Sequence, residues 1–153
     1  MLRYMNNNNA PLEILVKYHN PELERIKSIA VGDWIDLRAA ENVELKAGEF
    51  RRISLGVSMK LPDGYEAHIA PRSSSFQKWG FLQVNSVGVV DNSFSGTNDL
   101  WMLPVYATRD AVIKFNDRIC QFRILQRMPA VTFRETESLD ATDRGGFGST
   151  GVQ

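Results

Sequence analysis

The chain has 153 residues, 43% hydrophobic and 24% charged, a composition typical of one globular domain. Basic and acidic residues balance at 18 each, which excludes recruitment of nucleic acid or an anionic membrane by overall charge. One cysteine, Cys120, excludes an internal disulfide framework. No apolar run approaches the roughly 20 residues of a spanning helix, and residues 1–9 lack a signal-peptide stretch, so we expect a cytoplasmic protein.

The hydrophobic pattern predicts β-structure from Leu12 onward. Apolar and polar residues alternate over 12–18 and over 52–61, and period-two alternation of that length indicates half-buried antiparallel strands. The Pro-Asp-Gly sequence at 62–64 predicts a turn, after which the alternation resumes over 65–69.

Further short strands are predicted at 100–106, 111–115, 119–125 and 131–134, and one short helix at 74–79. Many closely spaced strands favour an all-β fold, a jelly-roll barrel or sandwich. With no repeat and no second domain evident, residues 1–153 are expected to form a single domain with a frayed terminus over 1–10. Residues 139–153 are rich in glycine and form either a disordered tail or a flexible arm that orders on a ligand.

Arg72, Ser73 and Ser74 open the short helix and offer a guanidinium, two hydroxyls and free backbone N–H groups. This set suits an anion, because a helix N-terminus itself favours phosphate. The same serines are also ordinary helix caps, and the residues alone do not separate the two interpretations.

Asp91 ends an apolar run and is followed by turn formers. An aspartate there is either a turn residue that bonds its own backbone or a base that polarises a water molecule. Cys120 shares one strand face with Phe122 and Ile124, so it is predicted to be a core residue and not a nucleophile.

The segment 144–151 combines Arg144 with four glycines and two hydroxyls, which suits backbone cradling of a phosphate. It lacks the lysine of a Walker loop and follows no strand-to-helix pattern, so a P-loop NTPase is rejected.

Five segments in this order resemble the ordered motifs of the trimeric dUTPase family. They are residues 32–40, 71–74, 88–96 (with Asn85 just before), 117–121 and 144–151. Five motifs in register, spread over roughly residues 28 to 151, make the resemblance highly specific.

The resemblance implies hydrolysis of dUTP to dUMP and pyrophosphate, which lowers dUTP and supplies dUMP for thymidylate synthesis. It also implies a jelly-roll subunit in a homotrimer with three sites at its interfaces, each closed by the C-terminal arm of a neighbouring subunit. Mg²⁺ would be held mainly by the triphosphate, with Asp36 in its outer shell through water. Asp91 would orient and deprotonate the water that attacks the α-phosphorus.

The other site residues that the resemblance implies bind the substrate. Phosphate contacts are assigned to Arg72, Ser73, Ser74 and Gln121. The nucleoside pocket is assigned to Asn85, Gly88, Val89, Val90, Phe94 and Asp99. The arm contributes Arg144, Phe147, Gly148, Ser149 and Thr150.

Three features of the motifs depart from the family pattern. Phe94 stands where the family usually has tyrosine, and Ser93 replaces a common second acidic residue, which leaves Asp91 as the only carboxylate there. The spacing from Arg144 to Phe147 is shorter than in many relatives.

Two other protein classes match parts of this pattern. A dCTP deaminase shares the fold, but it uses a glutamate where this chain has Trp101, which cannot act as a base. A regulatory or scaffolding protein that binds nucleotide without turnover is opposed by the intact Asp91 and arm. Direct nucleic-acid binding is not expected, and the sequence identifies no regulatory protein partner.

Overall fold

The computed structural model describes residues 11–27 and 32–143, and those residues form eleven strands and one short helix. In chain order these are β1 (Leu15–Tyr18), β2 (Ile35–Arg38), β3 (Val43–Leu45), β4 (Phe50–Ser54), β5 (Val57–Lys60), β6 (Tyr65–Pro71), α1 (Ser75–Trp79), β7 (Phe81–Gln83), β8 (Gly88–Val90), β9 (Met102–Ala107), β10 (Ala111–Ile113) and β11 (Arg118–Gln126). The predicted frayed terminus 1–10 and the arm motif 144–151 lie outside the described residues.

The strands pair antiparallel in four small sheets. Their orders are β2-β11-β6-β8, β4-β9-β7, β1-β5 and β10-β3. Over residues 11–27 and 32–143 these sheets pack as a sandwich and do not close into a barrel. The predicted all-β, jelly-roll class with one short helix is therefore confirmed in its sandwich form.

The core lies between the sheets and is built by the alternation seen in the sequence. Along β9, Leu103, Val105 and Ala107 are fully buried, while the residues between them are more exposed. Trp101 and Phe122 meet edge to face, with ring centroids 5.5 Å apart, a favoured arrangement for aromatic pairs. Within the described ranges, no helix has the length and apolar character to cross a membrane.

The alternating run 52–61 forms two strands and not one, because the extended conformation is interrupted at Gly56. This glycine has φ +67°, a conformation that disfavours any residue with a Cβ. A Cβ there would lie 2.5 Å from the Cβ of Ala40 and 2.8 Å from Cδ2 of Leu23. The close approach of two distant segments therefore decides where β4 ends and β5 begins.

The strand predicted at 131–134 is absent, and that prediction was wrong for the single chain. Arg127 donates a backbone hydrogen bond to Gly64, and beyond it residues 128–143 pair with no strand of the described chain. Phe133 and Leu139 are 95% and 87% exposed, so this segment leaves apolar side chains uncovered. An alternating sequence becomes a strand only where a partner edge is available.

Candidate active site

The predicted phosphate-binding residues meet at one end of the sheet that contains β2, β11 and β6. Asp36 on β2 lies opposite Gln121 on β11, and Gln121 lies opposite Ala70 near the end of β6. Arg72 is the first residue after β6, and its Nε lies 2.8 Å from Oδ1 of Asp36. Strand register therefore gathers three of the predicted residues that are distant in sequence.

Arg118 joins this cluster, although the sequence motif did not single it out as a site residue. Its Nη1 lies 3.1 Å from Oδ2 of Asp36, so the carboxylate is held between two guanidinium groups. Gln121 donates from Nε2 to the carbonyl of Pro71 at 3.2 Å. The cluster therefore presents two positive charges around one negative charge, an arrangement suited to an anionic ligand.

The serines after Arg72 differ from the expected caps. Ser74 is the N-cap residue of α1, but its side chain makes no capping hydrogen bond. Ser75 is buried, accepts a hydrogen bond from the Arg72 amide at 3.1 Å and donates one to the Ile119 carbonyl at 2.9 Å. Ser75 therefore ties the loop to β11, while the side chains of Ser73 and Ser74 make no hydrogen bond to the described residues.

A pocket of about 330 Å³ brings together five of the residues predicted to bind the nucleoside. These are Asn85, Gly88, Val89, Val90 and Phe94. The remaining lining residues are Arg52, Ile69, Leu100, Trp101, Met102 and Pro104. A concave site with mostly apolar walls and a few polar groups is typical of small-molecule pockets.

Gly88 and Asp99 have different places around this pocket. A Cβ on Gly88 would lie 3.2 Å from the Cβ of Ile69 and 3.6 Å from Nδ2 of Asn85, so a glycine leaves room for the Asn85 amide. Asp99 does not line the pocket. Its Oδ2 accepts the Gly96 amide at 2.7 Å, which closes the loop that follows Phe94.

Asp91 is exposed and follows β8 directly, between the lining residues Val90 and Phe94. Its Oδ1 accepts two hydrogen bonds from Ser93, one from the hydroxyl at 2.5 Å and one from the amide at 2.8 Å. The Ser93 hydroxyl is the main cause that holds the pKa of Asp91 below its usual value, followed by the Ser93 amide. Asp91 is therefore an ionised carboxylate at the edge of the pocket at neutral pH.

Cys120 is fully buried, as its strand position predicted. Burial raises the pKa of its thiol, and the negative charge of Asp36 acts in the same direction. A protonated, inaccessible thiol is neither a nucleophile nor a metal ligand.

The Asp36 cluster and Asp91 are far apart within one subunit. With about 4.8 Å between neighbouring strands, the three steps from β2 to β8 span roughly 14 Å. Asp91 follows Val90, which pairs with Ala67, so it lies four residues along β6 from Ala70, or roughly 13 Å. The two groups are thus on the order of 20 Å apart, farther than one triphosphate reaches.

A metal ion in this site would depend on the substrate. Over residues 11–27 and 32–143, no three His, Cys, Asp or Glu side chains cluster closely enough to hold an ion. Both oxygens of Asp36 are already bound by arginines. This donor set fits Mg²⁺, which is commonly bound by substrate phosphates and water with only one or two protein carboxylates.

The predicted contributions of the arm fall outside the described part of the chain. These residues are Arg144, Phe147, Gly148, Ser149 and Thr150.

Comparison with known proteins identifies the family. A family model described as dUTPase matches residues 30–151. The SPbeta prophage-derived deoxyuridine 5'-triphosphate nucleotidohydrolase of Bacillus subtilis is 53% identical over 142 residues, which are 93% of this chain and 100% of that protein. The deoxyuridine 5'-triphosphate nucleotidohydrolase of Finegoldia magna is 38% identical and covers 92% of this chain and 98% of its own.

Solved structures agree on the fold. The Staphylococcus bacteriophage 80alpha dUTPase with dUPNHPP aligns with a TM-score of 0.74 at 17% identity, over 92% of this chain and 99% of that one. A dUTPase from phage phi11 of S. aureus, described with a structural Mg(II) ion, aligns with a TM-score of 0.71 at 14% identity, over 84% and 99%. The predicted family is confirmed, and this chain belongs to the dUTPase family.

Proposed function

We infer that the chain hydrolyses dUTP to dUMP and pyrophosphate. The observation that carries this function is the pocket beside Asp91, which gathers five residues of the predicted nucleoside site next to one ionised carboxylate. Family membership supplies the substrate class. The same reaction lowers dUTP and yields dUMP for thymidylate synthesis.

In the proposed mechanism, Asp91 orients a water molecule and accepts its proton as the water oxygen attacks the α-phosphorus. The bond from the α-phosphorus to the bridging oxygen breaks, and pyrophosphate leaves with that oxygen. Arg72, Ser73, Ser74 and Gln121 bind the phosphates; Arg72 neutralises part of the charge that moves onto the leaving group, and the other three stabilise it by hydrogen bonds. General-base catalysis and charge stabilisation thus come from different groups of side chains.

Nucleoside recognition is assigned to the pocket itself. The Asn85 amide and the backbone around Val89 and Val90 are proposed to face uracil and to exclude the methyl group of thymine. The Phe94 ring packs on the deoxyribose, where a 2′-hydroxyl would lose its contact with water. Asp99 closes the adjoining loop, and its place in the nucleoside pocket stays a prediction.

Mg²⁺ is proposed as the cofactor, bound by the triphosphate and its water, with Asp36 in the outer shell. The ion supplies charge neutralisation on the phosphates when the nucleotide is bound. Asp36 also orients Arg72 and Arg118, because each of its carboxylate oxygens forms an ion pair with one guanidinium.

The site is proposed to form between subunits of a homotrimer. The Asp36 cluster and Asp91 are on the order of 20 Å apart in one chain, so a single nucleotide reaches both only if they come from different subunits. The uncovered apolar side chains of 128–143, including Phe133 and Leu139, support a segment that packs on a neighbour. We further propose that residues 1–153 are one domain whose arm, 139–153, closes over a neighbouring site.

Pyrophosphate release tests the function directly. We expect dUTP to be hydrolysed with a kcat/KM at least about 100-fold higher than for dCTP, dTTP or UTP, because a pocket built to hydrogen-bond one base rejects others strongly. Parallel assays at one Mg²⁺ concentration give the comparison. Equal rates with dCTP, or no release with any nucleotide, would contradict the assignment.

Subunit mixing tests the shared site. We expect Asp91→Asn and Arg72→Gln each to be nearly inactive, and co-expression in equal amounts to restore about a quarter of the parent activity. That fraction follows because an intact site takes Asp91 from one variant and Arg72 from the other, each with a chance of one half. Light scattering should give about three subunits for each preparation.

Two results count against the shared site. Co-expressed variants with no more activity than their sum place both residues in one subunit. A fully active monomer leads to the same conclusion.

A further inference from the structure

Ser93 holds the carboxylate of Asp91 from one side only. Both of its hydrogen bonds, from the hydroxyl at 2.5 Å and from the amide at 2.8 Å, end on Oδ1. Among the described residues, no side chain donates a hydrogen bond to Oδ2, and the Phe94 amide, which donates to the Asp91 carbonyl, adds only a weaker favourable interaction with the carboxylate. One carboxylate oxygen is therefore used to hold the side chain, and the other is left for water.

The turn that carries Ser93 is itself anchored to the sheet. Asn92 donates from Nδ2 to the Pro62 carbonyl at 3.1 Å, and the Phe94 amide donates to the Asp91 carbonyl at 3.2 Å. These bonds hold the backbone of residues 91–94 whether or not Ser93 has a hydroxyl. The contribution of the hydroxyl can therefore be removed without loss of the turn.

We propose that Ser93 is a positioning residue for the hydrolysis, whose hydroxyl fixes the Asp91 carboxylate so that Oδ2 alone is presented to the attacking water. This inference rests on the proposed role of Asp91 as the base. It gives a function to the position where the second acidic residue common in the family is missing. A hydroxyl donor does there what a second carboxylate cannot, because it stabilises the charge on Asp91.

A consequence is a change in the pH dependence of the reaction. Because the Ser93 hydroxyl is the main cause of the low pKa of Asp91, its removal raises that pKa, and the acidic limb of the pH profile moves to higher pH. The β5–β6 turn and β6, which pack against this turn, carry the titratable groups Asp63, Tyr65, Glu66 and His68. These groups are unchanged in the variants below, so they do not account for a shift.

The test compares Ser93→Ala with Ser93→Thr and Ser95→Ala. We expect Ser93→Ala to lower kcat about tenfold, since it removes one hydrogen bond to a charged group. Its acidic limb should move upward, and its affinity for a non-hydrolysable dUTP analogue should stay unchanged. Ser93→Thr keeps a hydroxyl and should restore both kcat and the pH profile. Ser95 lies in the same loop, but its hydroxyl does not bind Asp91, so Ser95→Ala should behave like the parent.

The outcomes separate this inference from the proposed function. If Asp91→Asn is inactive while Ser93→Ala keeps the parent kcat and pH profile, the role of Ser93 is wrong and the base assignment stands. If Asp91→Asn is fully active, the proposed base is wrong as well. If Ser93→Ala loses analogue affinity instead of kcat, Ser93 acts in binding and the positioning role is overturned.

Discussion

Replacing Asp91 by asparagine is expected to lower kcat for dUTP by about 10² to 10⁴-fold, the usual contribution of a general base. The amide keeps the shape of the side chain, and its oxygen can still accept both hydrogen bonds from Ser93. It cannot accept a proton from water. Affinity for a non-hydrolysable dUTP analogue should hardly change, because the phosphate and uracil contacts lie on other residues.

The control for this variant is Asp110→Asn. Asp110 is also an exposed aspartate between two strands, its Oδ1 accepts the Ala47 amide at 2.8 Å, and its pKa is likewise lowered by that hydrogen bond. If Asp91 were only a turn residue, both substitutions would have the same small effect, since asparagine suits such turns. A kcat for Asp91→Asn within a few-fold of the parent would remove Asp91 as the base.

Deleting residues 140–153 is the second change with a large expected effect. We expect a loss of turnover on the order of 100-fold or more, because the arm is proposed to complete the phosphate clamp and to exclude competing water. The subunit should still fold, since the last strand ends at Gln126 and the backbone bond from Arg127 to Gly64 is retained. Circular dichroism and light scattering should show a folded trimer, and pyrophosphate release measures the loss.

Point variants separate the arm residues from the arm as a whole. Arg144→Ala should weaken the contact with the terminal phosphates, and Phe147→Ala should weaken the cover over the base. Deletion of 152–153 alone is the control and should leave turnover unchanged. Near-normal activity after deletion of 140–153 would show that Arg144 and Phe147 are not site residues.

The features that the sequence determines by itself are local ones. Period-two alternation is a property of a few consecutive residues, and it correctly predicted β-structure over 65–69 and over residues 15–18 of the predicted run 12–18. The same alternation placed Cys120 in the core beside Phe122. The order of five motifs was enough to identify the family, because each motif is a short run read directly from the chain.

The ends of the strands and the members of the Asp36 cluster could be assigned only from the tertiary structure. β4 ends at Ser54 because Gly56 meets Leu23 and Ala40, which come from distant parts of the chain. Ser75 and Arg118 were missed as partners of the site, since their roles depend on which strands lie side by side. The pairing of Ser93 with Asp91 spans only two residues, but only the turn geometry shows that both bonds end on one oxygen.

The separation between the Asp36 cluster and Asp91 follows from the strand order of the sheet. In sequence, Arg72 and Asp91 are separated by fewer than twenty residues, while Asp36 and Gln121 are far apart. Strand order reverses this relation, because β2 and β11 are neighbours whereas β8 lies at the opposite edge of the same sheet. Distance along a chain does not measure distance across a sheet, where hydrogen-bonded register sets which residues meet. For that reason the motifs identify the reaction, and the register supports the proposal that two subunits supply one site.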